Sequence, residues 1–303
     1  MLIRQLEYLV AVSREGHFRR AAAACGVSQP ALSAGIRKLE EDVGFPIVRR
    51  GQRYEGLTPE GERVLDWGQK ILADVGGFRG TIDAMREGLS GRLRIGAIPT
   101  ALGSVAFLTR PLCASQPRIT VEARSLTSRQ IERGLHDFEL ELGVTYLDSE
   151  PLEGVRTLPL YRERYLLLTP ASGAVGGHAT VGWAEAALMP LCLLTEDMQN
   201  RRIVNALFDE AGGEPKPTIE TNSVSTLYSH VRDGTWSSVV AHPWLQVFGV
   251  PEGMRAIPLV APEATRGIGL VWLDRDPEPL LAAAMLEIAR GLDLEAALSA
   301  PAG

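Results

Sequence analysis

Apolar and polar positions over residues 18–43 follow a helical rhythm that breaks once. Phe18-Arg19-Arg20-Ala21-Ala22-Ala23-Ala24 predicts a helix that ends at Gly26, where glycine supplies the positive φ of a tight turn. Ala22, four residues before that glycine, leaves no bulk, so a second helix can cross closely. Ser28 is placed to cap this second helix. Pro30 is tolerated in its first turn, where an N–H has no intrahelical acceptor. Leu32, Ile36, Leu39 and Val43 then follow at spacings of four, three and four, which makes one buried stripe. Gln29, Ser33 and Arg37, each four apart, form a polar stripe beside it. The start of the chain, Met1-Leu2-Ile3-Arg4-Gln5-Leu6-Glu7, reads as one more amphipathic helix.

The rhythm changes twice more. Thr58 as cap, Pro59 at the first helical position and Glu60 in the first turn start a long helix. Val64, Gly68, Ile71, Val75, Phe78, Ile82, Met85 and Leu89 alternate at spacings of four and three, a heptad stripe that suits pairing with a second chain or packing on its own domain. Gly68, Gly76, Gly77 and Gly80 weaken this helix by up to about 1 kcal/mol each, so it needs packing to be stable. After Leu89-Ser90-Gly91, short apolar runs alternate with helical ones. Strands are expected at 92–98, 119–125, 140–144, 165–168, 191–194, 218–221, 238–240 and 268–273. Helices are expected at 102–112, 129–135, 201–211, 225–232 and 279–292. That alternation predicts an α/β fold with a parallel sheet and right-handed crossovers. The units are expected at 1–57, 58–90 and 91–303.

The polar stripe suits a DNA major groove, because Gln pairs with adenine, Arg with guanine, and Ser with either or with phosphate. The run Ala21-Ala22, Val27-Ser28-Gln29-Pro30-Ala31-Leu32-Ser33, Ile36-Arg37-Lys38-Leu39-Glu40, Gly44 and Leu57-Thr58-Pro59-Glu60-Gly61 resembles the LysR-type transcriptional regulators. The resemblance implies a winged helix-turn-helix, a long linker helix that forms a dimer, and a two-lobed effector domain like a periplasmic binding protein. It further implies a tetramer of two dimers, and an effector whose binding alters lobe closure and so the angle between DNA-binding heads. The last strand would return to the first lobe, giving lobe I about 91–161 and 267–303 and lobe II about 162–266. One departure is Ile47-Val48-Arg49-Arg50, where the family usually has Leu-Phe and an acidic residue. The wing base is therefore less aromatic and more basic.

Charge sharpens this. The net charge of −6 divides into +3 over residues 1–57, with nine Lys/Arg against six acids, and −9 over the remainder. A basic head on an acidic body suits a protein that meets phosphate at one end. Ser28, Gln29, Pro30, Ser33 and Arg37 are the candidate helix contacts. Arg49, Arg50 and Arg53 are candidate wing contacts to backbone or minor groove. No basic segment followed by an apolar one marks an export signal, and no run is long enough for a membrane span, so a cytoplasmic protein without membrane partner is expected. Cys25, Cys113 and Cys192 are scattered, as expected of reduced thiols, and five histidines show no metal-ligand spacing, so neither metal nor cofactor is expected.

In two-lobed folds small ligands bind between lobes, at strand C-termini and helix N-termini, where free N–H groups favour carboxylates and other anions. Candidate effector contacts at such junctions are Thr100, Ser128, Tyr146, Asn222, Ser223 and His242. Thr100, Ser128 and Ser223 suit a helix cap equally well, Tyr146 suits lobe packing, and His242 suits a buried backbone partner. A solute-binding protein or an enzyme on the same fold is the alternative. The first would need export, and the second lacks a Gly-x-Ser-x-Gly elbow, a phosphate-binding loop, His-Glu-x-x-His and Cys-x-x-Cys.

Overall fold

The computed structural model of the chain describes residues 2–49 and 54–299. It divides into two compact units, Met1–Gly88 and Leu89–Gly303. The first holds helices α1 (Ile3–Glu15), α2 (Phe18–Ala24), α3 (Gln29–Val43) and α4 (Pro59–Glu87). Each helix start after the first has a side-chain cap. His17 Nδ1 accepts from the Arg19 N–H at 3.1 Å, Ser28 Oγ from Ala31 N–H at 3.3 Å, and Thr58 Oγ1 from Gly61 N–H at 2.9 Å. Such caps contribute about 1 kcal/mol each. Gly26 turns the chain at φ +65° as its position requires.

Leu6, Leu9 and Val12 of α1, Ala21 and Ala22 of α2, and Leu32, Ile36 and Leu39 of α3 are buried together. Burying one leucine contributes on the order of 2 kcal/mol, so this small core alone holds the three helices. Beyond α3, the Glu40 carboxylate accepts from the N–H groups of Ile47 at 2.8 Å and Val48 at 3.1 Å. This fixes the segment in which Val48 forms an isolated antiparallel bridge with Leu57, the base of a wing. Gly61, in the first turn of α4, sits so close to that segment that a Cβ would lie 2.2 Å from the Ile47 carbonyl oxygen. In the first half of α4, Leu65 and Gly68 are buried, and Val64, Ile71 and Leu72 pack on the same core. That part of the heptad stripe is therefore own-domain packing. Phe78, Ile82 and Met85 further along are exposed.

The second unit begins with β1 (Gly91–Ala97), a 3-10 turn (Leu102–Ser104), α5 (Val105–Ser115), β2 (Ile119–Ser125), α6 (Ser128–His136) and β3 (Leu142–Tyr146). The long β4 (Val155–Pro170) leads to β5 (Val181–Gly182), α7 (Trp183–Ala186), β6 (Cys192–Leu194), α8 (Gln199–Glu210), β7 (Ile219–Thr221) and α9 (Val224–Arg232). Then come β8 (Ser238–Ala241), α10 (His242–Phe248), β9 (Met254–Val260), β10 (Thr265–Leu273), α11 (Leu280–Arg290) and α12 (Leu294–Ser299). The main sheet runs β2-β1-β3-β10-β4-β9-β5, with β8 also on β4 and β6-β7 as a separate pair.

The expected parallel sheet holds for β1 to β3 and not beyond them. β1 is parallel to β2 and β3, but β10 is antiparallel to both β3 and β4, and β4 is antiparallel to β8 and β9. The cause is β4 itself. It pairs with β10 from Val155 to Arg164, then with β8 from Tyr165 and β9 from Leu166. One strand thus leaves lobe I and enters lobe II without a break, and β10 returns beside it in the opposite sense.

Candidate DNA-reading helix and inter-lobe cleft

On α3 the buried stripe forces the polar one outward. Gln29 and Arg37 are exposed, as are Ser28 and Pro30, and Ser33 is half-buried. Neither Gln29 nor Arg37 makes a side-chain hydrogen bond among the described residues, so their donors and acceptors are open. Arg49 is exposed, with its Nε donating to the Leu57 carbonyl at 2.8 Å, which steadies the wing base. Arg50 and Arg53 lie outside the described residues.

In the second unit, three lobe I junctions meet the start of α8 from lobe II. Thr100, Thr127, Ser128 and Tyr146 line a cavity with Ile98, Pro99, Leu194, Met198, Gln199 and Asn200. Its free volume is about 10 Å³, on the order of one water molecule. Thr127, not Ser128, caps α6, accepting from the Gln130 N–H at 3.3 Å. This leaves Ser128 free for the cleft, and the cap alternative for it is corrected. Ser128 Oγ donates to Gln199 Oε1 across the lobes and lies 3.1 Å from Thr145 Oγ1, while Gln199 Nε2 donates to the Ser149 carbonyl. Thr100 caps nothing either. Its hydroxyl is buried without a partner, while its carbonyl accepts from Trp244 Nε1 at 3.0 Å. An unsatisfied buried hydroxyl costs about 1–3 kcal/mol unless something fills the need.

Behind the cavity lies a buried acid. Tyr146 Oη donates to Glu163 Oε1 at 2.7 Å, and Asn200 Nδ2 donates to Tyr146 Oη at 3.0 Å and to Glu163 Oε1 at 3.5 Å. These three residues come from β3, β4 and α8, so the network ties both lobes to the strand they share. Burial pushes the Glu163 carboxyl up to about 7, against the Tyr146, Tyr165 and Asn200 side chains that pull it down.

The remaining sequence candidates lie elsewhere. Ser223 is the cap of α9, accepting from the Thr226 N–H at 3.3 Å, and neighbouring Asn222 is exposed. His242 Nδ1 accepts from the Arg164 N–H at 3.1 Å, the backbone role foreseen as its alternative, and burial lowers its pKa to about 4. None of the three lines the cavity. The sequence reading missed Glu163, Gln199 and Asn200. The alternation Tyr161, Glu163, Tyr165, Leu167 carries a signal for the first, since it puts one acid on an apolar face.

Known proteins give the same picture. Residues 3–62 match the bacterial regulatory helix-turn-helix family of lysR type, and residues 86–292 the LysR substrate-binding domain. The chain is 33% identical over 247 residues to a probable hydrogen peroxide-inducible genes activator of Streptomyces viridosporus, covering 80% of this chain and 78% of that one. It is 31% identical over 283 residues to the DNA-binding transcriptional dual regulator OxyR of Escherichia coli K12, covering 91% of each. Among solved structures, a full-length OxyR variant of Pseudomonas aeruginosa superposes with a TM-score of 0.78 at 27% identity, over 98% of this chain and 97% of that one. CbnR in complex with its target DNA superposes at 0.66 with 23% identity, over 96% and 99%, and there the likeness is one of fold. The chain belongs to the LysR family of DNA-binding transcriptional regulators, a helix-turn-helix unit followed by a two-lobed effector domain.

Proposed function

We propose that this regulator reads operator DNA with α3 in the major groove and answers to a small molecule held between its lobes. Gln29, Ser33 and Arg37 contact base edges, Ser28 and Pro30 seat the helix start, and Arg49, Arg50 and Arg53 contact backbone or minor groove. The supporting observation is that Gln29 and Arg37 project from a capped, core-anchored helix with their hydrogen-bonding groups open. Binding sites selected from random DNA test it. Gln29→Ala should relax base preference at one position of each half-site, and Arg50→Ala should weaken all sequences and lower the salt slope by about one.

The effector contacts are Thr100, Ser128 and Tyr146, and Gln199 and Asn200 of α8 face them across the cavity. For an anionic effector, α8 offers an N-terminus that no side chain caps. Against it stand a lining with no basic side chain and a buried acid behind it. Several relatives carry names that refer to hydrogen peroxide. A disulfide response finds little support here, because Cys192 is fully buried with its thiol pushed up to about 11, Cys25 belongs to the other unit, and Cys113 is the exposed one. No helix among the described residues is long and apolar enough to cross a membrane, and a regulator of this kind works in the cytoplasm, where the DNA is.

The exposed Phe78, Ile82 and Met85 of α4 face a second copy in this reading, and two dimers form a tetramer. Ile82→Glu would place an unpaired carboxylate in that seam. Light scattering should show fewer dimers and operator affinity should fall, since the half-sites lose their tether. A variant that stays fully dimeric would remove α4 from the interface.

A further inference from the structure

Gln199 occupies the cleft the way a ligand would. It is a surface-type side chain at the start of a helix, yet only 4% of it is exposed. Both ends of its carboxamide are engaged on lobe I: the oxygen accepts from Ser128 Oγ and the nitrogen donates to the Ser149 carbonyl. Because Ser128 donates its hydrogen to Gln199, the bond at 3.1 Å to Thr145 must run from Thr145 Oγ1 to Ser128 Oγ. The partners that Gln199 satisfies are therefore one donor and one acceptor, side by side, with no charge on either. The same cavity holds the unpartnered hydroxyl of Thr100 and is otherwise lined by apolar, hydroxyl and amide groups, none of them charged.

We propose that the effector is a small uncharged molecule with a hydrogen-bond acceptor beside a donor, as in a primary carboxamide, and that it binds by displacing the Gln199 side chain from Ser128 and Ser149. This rests on the reading of the cleft as the effector site. A carboxylate can replace the Gln199 oxygen but not its nitrogen, because a second anionic oxygen would face the Ser149 carbonyl with lone pair against lone pair. The buried Glu163, one hydrogen bond behind Tyr146 and Asn200, opposes an anion again. Thr100 Oγ1 supplies a third contact that Gln199 does not use. An effector with an added hydroxyl or carbonyl thus gains something the resident side chain lacks, and displacement becomes favourable. Lobe closure in the free protein is then self-supplied, and the effector exchanges one set of inter-lobe bonds for another.

Acetamide and acetate are the same size and differ only in the group at issue. Ligand-observed NMR titration of the full chain reads both. Gln199→Ala should bind acetamide at least fivefold more tightly than the wild type, because the competitor is gone, and should prefer acetamide to acetate by tenfold or more. Ser128→Ala, added to Gln199→Ala, should abolish most of that gain. The second change keeps the fold tested, since Ser128→Ala alone removes one hydroxyl and leaves Gln199 in place. Acetate binding as well as acetamide to Gln199→Ala overturns the assignment of ligand class. Equal acetamide affinity in wild type and Gln199→Ala overturns displacement. Failure of both probes to bind Gln199→Ala removes the cleft itself as the effector site.

Discussion

The polar residues of α3 and those of the inter-lobe cleft are equally suited to recognise a partner, and they are kept ready in opposite ways. Gln29 and Arg37 stand in water with no protein partner, so binding DNA exchanges water for base edges. Ser128, Tyr146, Gln199 and Asn200 are buried and bonded to one another. A buried polar group without a partner is costly, so the cleft holds its shape by internal bonds that any ligand must replace. Recognition on the surface is decided by what is added, and recognition in the cleft by the difference between two sets of bonds. Changes on α3 should therefore affect binding alone, while changes in the cleft should also affect stability.

The largest test lies at Glu163 and His242. The Glu163 carboxyl has a folded-state pKa raised to about 7, so the native state holds more protons than the unfolded state from about 4.5 to 7, and stability falls as pH rises through that window. His242, lowered to about 4, is the reverse: the unfolded state holds more protons between about 4 and 6.5, and stability rises with pH there. The two slopes oppose each other over most of their range. Denaturant unfolding should give a nearly pH-independent wild type between pH 5 and 6.5. Glu163→Gln should expose the rise due to His242 and add on the order of 3 kcal/mol above pH 7. A Glu163→Gln curve parallel to the wild type would mean that the acid is not in the buried network.

Gln29→Ala sharpens the comparison from the other side. It should cost roughly 1–3 kcal/mol of specific DNA binding per half-site, yet change unfolding stability by less than about 0.5 kcal/mol. Equal losses in both measurements would place Gln29 in the core of its unit. The smallest effect is expected at Thr100→Val. Its hydroxyl has no partner to lose, so stability should stay level or rise slightly. Effector affinity, measured by calorimetry once a ligand is in hand, should fall by on the order of 1 kcal/mol. A clear loss of stability would show that the Thr100 hydroxyl is satisfied after all.

The same contrast explains what could be read from the sequence. The helix-turn-helix rests on local signals: Gly26 for the turn, Ser28 for the cap, and the stripe of Leu32, Ile36 and Leu39 for the core, all within one short segment. The cleft rests on residues far apart in the chain. Ser128 and Gln199 meet only because β4 carries the chain into a second lobe and α8 folds back toward the first. The sequence reading starts α8 at Arg201, two residues late, because Met198 offers no side-chain cap to mark the true start. A start at Arg201 leaves Gln199 and Asn200 in a loop, where no local signal marks them. Pro159 inside β4 and Pro258 inside β9 likewise disguised strands, since proline lacks a ladder donor and is usual only at edges or irregularities. Thr100 and Ser128 were legible because they follow strands β1 and β2 whose apolar runs are unmistakable.

The uninterrupted passage of β4 between lobes has a consequence for how the protein is made. Strand β3 cannot complete its pairing until β10 arrives, and Tyr146 meets Ile268 only after the whole second lobe has been synthesised. At about 5–20 residues per second, that interval is on the order of ten seconds. Through it, the β3 edge is open to wrong partners, the hazard every unpaired strand carries. The helical unit Met1–Gly88 draws only on its own residues and is complete long before. A nascent chain stalled in the second lobe would thus carry a finished DNA reader with no working sensor, so the order of synthesis sets which half of the regulator fails first.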